Sequence, residues 1–306
     1  MPTINLISKT EPRVMERLTQ ESVTQGLFSN QYSFKGVRTI EIMSVDTVPL
    51  KAYDRTLTDG EAGTIGKRFG KIIELGDTKA VYTMNDEIKY NIGFEKSTTS
   101  DQMNIKTASS IISRQDKEIV VPYRDKFRLQ KLALGAGLNK FSATNAADLG
   151  RSKILETLMK ARAELRNHYA PIGKQVLYIG ETAAIEMKLA DQVIAVDKIA
   201  EKPIVNGVLS KLGGFQLNIV PDDYLPETCA FLIVTKGSAW APVKVKTSRV
   251  ITDHPDFDGT AVQYHEYHDC FVNEARRETI YACWTGTEAA VNNLLGGDGY
   301  TFRKQA

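Results

Sequence analysis

Charge of one sign is what this chain has least of. It carries 39 Lys and Arg against 37 Asp and Glu, a net +2 over 306 residues. A protein that grips nucleic acid by counterion release shows a basic excess or stripe. None is visible here, so contact with double-stranded DNA is expected to be weak and non-specific. Cysteine is scarce as well. Cys229, Cys270 and Cys283 form no CxxC pair, and three is an odd number. That usage suits buried thiols in a reducing cytoplasm better than a disulfide framework or a zinc site. No window approaches the roughly 20 apolar residues that a helix needs to cross a bilayer. The N-terminus has no basic run followed by an apolar one. The expectation is therefore a soluble chain with no membrane partner.

Catalytic signatures are also missing. There is no GxSxG, HExxH or GxGxxG. DGEAGTIGKR resembles a phosphate loop only loosely. Five residues rather than four lie between Gly60 and Gly66, and Arg68 stands where a magnesium-binding hydroxyl would be. TDHPDFDG is rich in acids, but it has neither the glycine nor the closing glutamate of a calcium loop. It reads as a turn. YHEYHDC holds His265, His268 and Cys270, a set that invites a metal. Its flanks alternate as a strand, and residues three apart in a strand point to opposite faces. The two histidines are expected to diverge, and no metal or other cofactor is expected.

What is present is 42% hydrophobic and 25% charged, ordinary globular usage with material for a real core. A short helix capped by Thr10 is expected to end at Gly26. Strand follows over 32–48. Residues 45–87 form a long polar stretch with Gly60, Gly63, Gly66 and Gly70 in its middle. It has too little apolar side chain to bury a core of its own. It is a disordered segment, a lid, or an arm on another molecule. From 101 to 134 the apolar residues step by three and four, with Pro122 expected to kink or end the helix before it resumes. A second helix is expected over 147–168, with Ile154, Leu158, Ala161 and Leu165 as its stripe. Then come a strand at 175–179 and a helix at 181–190. Further strands are expected at 215–220, 230–234, 243–251, 261–272 and 278–284. Helices early and strands late make an α+β chain.

Five segments carry a resemblance. They are ESVTQGLFSNQYSFKGVRTIEIMSVDTVPLKAYDR, IIELGDTKAVYTMNDEI, MNIKTASSIISRQDKEIVVPYRDKFRLQKLA, GGFQLNIVPDDYL and WAPVKVKTSRVITDHPDFDGTAVQYHEYHDCFVNEARRETIYA. In this order and spacing the chain resembles the major capsid protein of tailed double-stranded DNA bacteriophages, the Hong Kong ninety-seven-type fold. The resemblance implies an N-terminal arm (1–45) and an extended β loop (46–95). It implies a peripheral domain with a long spine helix (96–144 and 265–277), an axial domain with a central mixed sheet (145–264 and 278–290), and a tail (291–306). It implies a structural protein, not an enzyme. It implies copies that assemble through pentamers and hexamers into an icosahedral shell around packaged DNA, in the host bacterial cytoplasm. A portal and decoration proteins are candidate partners. Because arm-like sequence begins almost at Met1, a separate scaffolding protein is expected.

The loop residues Tyr53, Arg55, Lys67, Arg68, Phe69 and Lys71 are the candidate intersubunit contacts. Lys67 and Lys71 lie where some relatives carry a crosslinking lysine, but no partner asparagine or glutamate can be placed, and crosslinking is not expected. The rival readings are an encapsulin-like compartment with the same fold and a cargo enzyme, and a soluble enzyme using 46–95 as a lid. Deleting residues 57–71 is expected to leave a monomer that folds but makes no closed shell. Normal particles by negative-stain microscopy after the deletion would refute the arm reading.

Overall fold

The computed structural model describes residues 21–34, 37–50, 74–96, 108–142, 151–188, 211–212, 214–226, 228–252 and 258–286. The expected helix from Thr10 lies mostly outside them, as do the six loop residues from Tyr53 to Lys71. The chain divides into two compact units, residues 36–84 and all the rest.

The smaller unit is an antiparallel ribbon of β1 (Thr39–Val45) and β2 (Asp77–Thr83). Their register runs from Thr39 opposite Thr83 to Val45 opposite Asp77. Past its open end, Asp46 N–H donates to the Gly76 carbonyl at 2.9 Å. The strand expected over 32–48 is therefore shorter. Residues 30–34 belong to no strand.

The larger unit is built on a six-stranded mixed sheet. Its strands are β4 (Leu138–Ser142), β5 (Gln175–Gly180), β6 (Lys211–Leu212), β7 (Phe215–Val220), β8 (Cys229–Thr235) and β13 (Ile280–Thr285), in the order β4-β13-β8-β5-β7-β6. Every residue of β5 and β8 is buried. Runs such as QVLYIG and CAFLIVT have no polar side to show water, so the sheet must be covered on both faces. One face presents Val176, Tyr178, Leu232, Val234, Ala282 and Trp284, and the helix α2 (Val121–Leu134) covers it with Phe127, Leu129, Leu132 and Ala133. The opposite face presents Leu177, Ile179, Phe231, Ile233, Tyr281 and Cys283. It is covered by α3 (Arg151–Asn167) and α4 (Glu181–Lys188). The expected stripe of Ile154, Leu158, Ala161 and Leu165 is the buried face of α3. Each such side chain contributes about 1.5–3 kcal/mol by leaving water.

The helix before α2 does not end at Pro122. The helix α1 (Ala108–Gln115) passes into a π-helical turn at Asp116–Val120 and then into α2. Val121 N–H donates to the Asp116 carbonyl, five residues back. Pro122 has no N–H to give, and its ring crowds the carbonyl four residues earlier. The wider turn just before it makes room, and the long helix continues. It stops where expected. Gly137 N–H donates to the Arg277 carbonyl at 2.8 Å. A Cβ at Gly137 would sit 2.6 Å from that same carbonyl.

A three-stranded antiparallel sheet completes this unit: β3 (Asp86–Glu95), β11 (Gly259–His268) and β10 (Val243–Ile251), with β11 in the middle. A short pair joins β9 (Ala239–Trp240) to β12 (Phe271–Val272). The strand expected over 261–272 is thus two strands, broken at Asp269–Cys270. Asp269 turns its carboxylate back to accept from Cys270 N at 2.8 Å and from Asn85 N at 2.9 Å. The strand expected at 278–284 starts at Ile280, because Glu274–Thr279 wind into a 3₁₀ helix capped by Asn273.

One carboxylate gathers the first of residues 21–29 onto this core. Asp125, on α2, is 2% exposed and accepts from Ser22 Oγ (2.8 Å), Val23 N (2.8 Å) and Thr24 Oγ1 (2.6 Å). The Val23 carbonyl in turn accepts from Tyr178 Oη at 3.0 Å. Arg128 lies 5.1 Å over the Phe28 ring, and Leu27 is buried in the core. Asp125→Ala is expected to cost about 3 kcal/mol, since three donors, one buried and two half-buried, lose a buried charged acceptor. Urea unfolding measures the loss, and limited proteolysis should cut within 21–29 first. Unchanged stability would show that the carboxylate does not hold this segment.

Candidate functional site

Two features outside the apolar core stand out. The first is the outer surface of the β1–β2 ribbon. The register puts Glu41, Met43 and Val45 on one face with Val81, Lys79 and Asp77. Met43, Val45 and Val81 are 68%, 62% and 56% exposed. Lys79 Nζ and Glu41 Oε2 pair at 2.5 Å in solvent, which contributes little on its own. Leu50 and Leu75, where the chain leaves the ribbon, are exposed too. A two-stranded ribbon with its apolar side chains in water is marginal by itself. Among the described residues its outer edges pair with no further strand, and such edges beside an exposed apolar face are what a neighbouring molecule can cover.

The second feature is a buried polar cluster between α2, β11 and the start of β3. Glu266 is fully buried near the C-terminal end of β11. Arg124 Nη2 donates to its Oε2 at 2.7 Å, and Tyr264 Oη donates to the same oxygen. Burial raises the Glu266 carboxyl, but the bonds from Tyr264 and Arg124 outweigh it and the net direction is down. Tyr264 stacks on Tyr90 of β3 at 4.9 Å. Next along the same face is His268, 1% exposed. Its Nε2 lies 3.2 Å from Asp86 Oδ2 and its Nδ1 3.5 Å from Glu266 Oε1, but neither approach is aligned as a hydrogen bond. Phe127 meets the ring edge-on at 5.3 Å. Burial holds His268 down at about 4. Burial, and then the nearby Asp269 carboxylate, push Asp86 up to about 6. Near neutral pH the pair is thus a carboxylate beside an uncharged imidazole.

The two histidines of YHEYHDC do point to opposite sides of the strand. His268 faces the helix, while His265 faces water and meets Glu87 Oε1 at 3.2 Å. Cys270 belongs to the core, and burial raises its thiol to about 12. Among the described residues no three His, Cys, Asp or Glu side chains are grouped to hold a metal ion. On the His265 side the sheet forms an open concavity of about 640 Å³, with Lys89, Asn91, Thr247, Arg249 and Gln263 along it. Among the described residues no hydroxyl or thiol is hydrogen-bonded to the His265 ring. Its surroundings are those of a solvated sheet face.

The six contact candidates from Tyr53 to Lys71 lie outside the described residues, so the structure neither gathers nor separates them. Sequence reasoning missed the Arg124–Glu266–His268–Asp86 cluster. Its signal was weak but present: charged residues at strictly alternating positions of a strand, with one expected face turned inward.

The fold these elements build, an N-terminal segment on a helix-flanked mixed sheet with a long helix and a separate ribbon, has known counterparts. No protein-family model matches the chain, and neither does any curated protein. Solved structures do match. A chain of Mycobacterium phage Che8 superposes with a TM-score of 0.70 at 14% identity, covering 91% of this chain and 96% of that one. The capsid structure of cyanophage P-SCSP1u gives 0.73 at 12%, covering 92% and 93%. The asymmetric unit of the bacteriophage PhiM1 mature capsid gives 0.68 at 12%, covering 92% of each. The chain therefore has an α+β fold of the phage-capsid class. Specifically, it is the tailed-phage major capsid fold that the sequence resembles.

Asp86 and His268 have opposite pH dependences. Asp86, raised from 3.8 to about 6, contributes stability that is present below pH 3.8 and lost as pH rises through 6. His268, lowered from 6.5 to about 4, contributes stability that is present above pH 6.5 and lost as pH falls through 4. In the wild type the two trends offset between pH 4 and 6.5. Relative to wild type, Asp86→Asn should lose melting temperature as pH falls across that window, while His268→Asn should gain it. Parallel curves for all three proteins would mean the pair is not shifted as described.

Proposed function

We propose that this chain is a structural capsid subunit that assembles through pentamers and hexamers into an icosahedral shell enclosing double-stranded DNA. The observation that carries the reading is the likeness to phage capsid structures over nine-tenths of both chains. The exposed apolar face of the 36–84 unit supports it. That face is too small to sustain a core, and it has the character of a surface that a neighbour covers. In this reading the ribbon is the base of the extended loop, and Tyr53, Arg55, Lys67, Arg68, Phe69 and Lys71 contact adjoining subunits. The axial domain is residues 145–264 and 278–290, and the peripheral domain with the long helix is residues 96–144 and 265–277.

The proposed role is not catalytic and uses no cofactor. Its partners are further copies of the chain, a separate scaffolding protein, a portal, and decoration proteins where present. Contact with packaged DNA is weak and non-specific, consistent with a net charge of only +2. Many modest contacts repeated around a closed symmetry make the shell stable while the free subunit stays soluble.

The test is size-exclusion chromatography followed by negative-stain microscopy of the chain expressed with a candidate scaffolding protein. Rings of five or six subunits, or particles in the megadalton range, are the expected outcome. Nuclease-protected DNA inside distinguishes a virion shell from a compartment filled with a cargo enzyme. A protein that stays monomeric under every assembly condition would sink the proposal.

A further inference from the structure

The turn after α3 breaks a local rule at a cost that no contact among the described residues repays. The helix ends in a Schellman arrangement: Ala170 N–H donates to the Leu165 carbonyl and Tyr169 N–H to the Arg166 carbonyl, both at 3.0 Å. The residue between helix and exit must then take the left-handed conformation, a position glycine normally fills. Here it is Tyr169, at φ 56°. Among the described residues it is the only non-glycine with positive φ; the other five are Gly26, Gly173, Gly214, Gly237 and Gly286. A bulky side chain is strained there. Its ring is 95% exposed, so it gains nothing from burial. Ile172, three residues on, is 68% exposed.

The tip is nevertheless rigid. Ala170 is buried beside Leu165 in the core, Pro171 stiffens the chain, and Lys236 N–H holds the Lys174 carbonyl at 2.8 Å. His168 Nδ1 lies 3.1 Å from Glu278 Oε2. The result is two large apolar side chains held out into water on a fixed support. That is the form of an interface anchor, because little freedom remains to be lost on binding.

We propose that Tyr169 and Ile172 form a pre-set knob that docks on a second copy of this chain. The inference rests on the shell reading above and adds a contact to it. Area selects the occupant. A tyrosine and an isoleucine together offer roughly 300 Å², while a free-standing interface needs about 800 Å² on each partner. The knob cannot hold an independent partner alone. It suits a partner that other contacts already keep in place, which is the situation of a neighbour in a ring. Exposed apolar side chains are also available in the same helix layer, Met159 on α3 and Ile185 on α4, and either could serve as the counterpart. Met159 lies eight residues before the end of α3, about 12 Å along the axis at 1.5 Å per residue. Knob and counterpart are thus separate spots on one subunit. Contacts between separate spots run head to tail, the geometry that closes rings.

The experiment uses the full chain and two substitutions. Tyr169→Gly relieves the backbone and removes the ring. The subunit's melting temperature should rise by about 2–4 °C, while the protein concentration needed for assembly should rise about tenfold. Ile172→Ser leaves the backbone alone. It should raise the assembly threshold without moving the melting temperature. If Tyr169→Gly is stabilised and assembles at the wild-type threshold, Tyr169 is only a tolerated helix end and the inference is overturned. A fall in melting temperature for Tyr169→Gly would overturn it too, by showing that the ring packs within the subunit. A wild-type chain that never assembles removes the shell reading and this inference together, an outcome separate from the other two.

Discussion

A sheet that is apolar on both faces cannot meet water on either. That constraint organises the larger unit. β5 and β8 bury every side chain they have, so helices must arrive from both sides. α3 and α4 satisfy one face as a local pair. The other face is satisfied by α2, the last part of a helix that begins at Ala108. The π turn at Asp116–Val120 follows from the same demand. Ending the helix at Pro122 would leave Phe127, Leu129 and Leu132 without a support to carry them onto the sheet.

Polar groups then attach the remaining pieces to this framework, and each attachment uses a buried charge with matched partners. Asp125 collects three donors from Ser22, Val23 and Thr24. Arg124, one residue earlier on the same helix, donates to Glu266 of the three-stranded sheet. One turn of α2 therefore holds both the N-terminal segment and the second sheet. A buried ion pair is a poor source of net stability. It does fix geometry, because a carboxylate without its donors would be costly to bury. His268 and Asp86 extend the cluster with opposed titrations.

The parts not used in the core are turned outward in specific ways. The ribbon carries Met43, Val45 and Val81 on one face, and the α3 turn carries Tyr169 and Ile172. Neither has enough neighbours to be stable for its own sake. In a chain with the fold of phage capsid structures, these are the places where local stability has been given up, and where contacts between copies are proposed.

Much of this was legible in the chain. The α3 stripe of Ile154, Leu158, Ala161 and Leu165 declares a helix with one buried face, because 3.6-residue spacing admits little else. QVLYIG declares a buried strand, and alternation in YHEYHDC separates His265 from His268. The order of segments carried the capsid resemblance. Other features were beyond local reading. Alternation shows that Glu266 and His268 share a face; it cannot show that the face meets Arg124 and Asp86, which lie 142 and 182 positions earlier. Asp125 reads as a solvated helix charge until Ser22–Thr24 pack against it. Tyr169 gives no sign of its backbone strain, since nothing in HYAPIG announces a left-handed tyrosine. The sequence by itself determined which segments must be buried and their local form, because hydrophobic spacing is a local property. Only the tertiary structure decided which charges meet and which apolar side chains stay outside, because those outcomes depend on chain segments brought together from far apart.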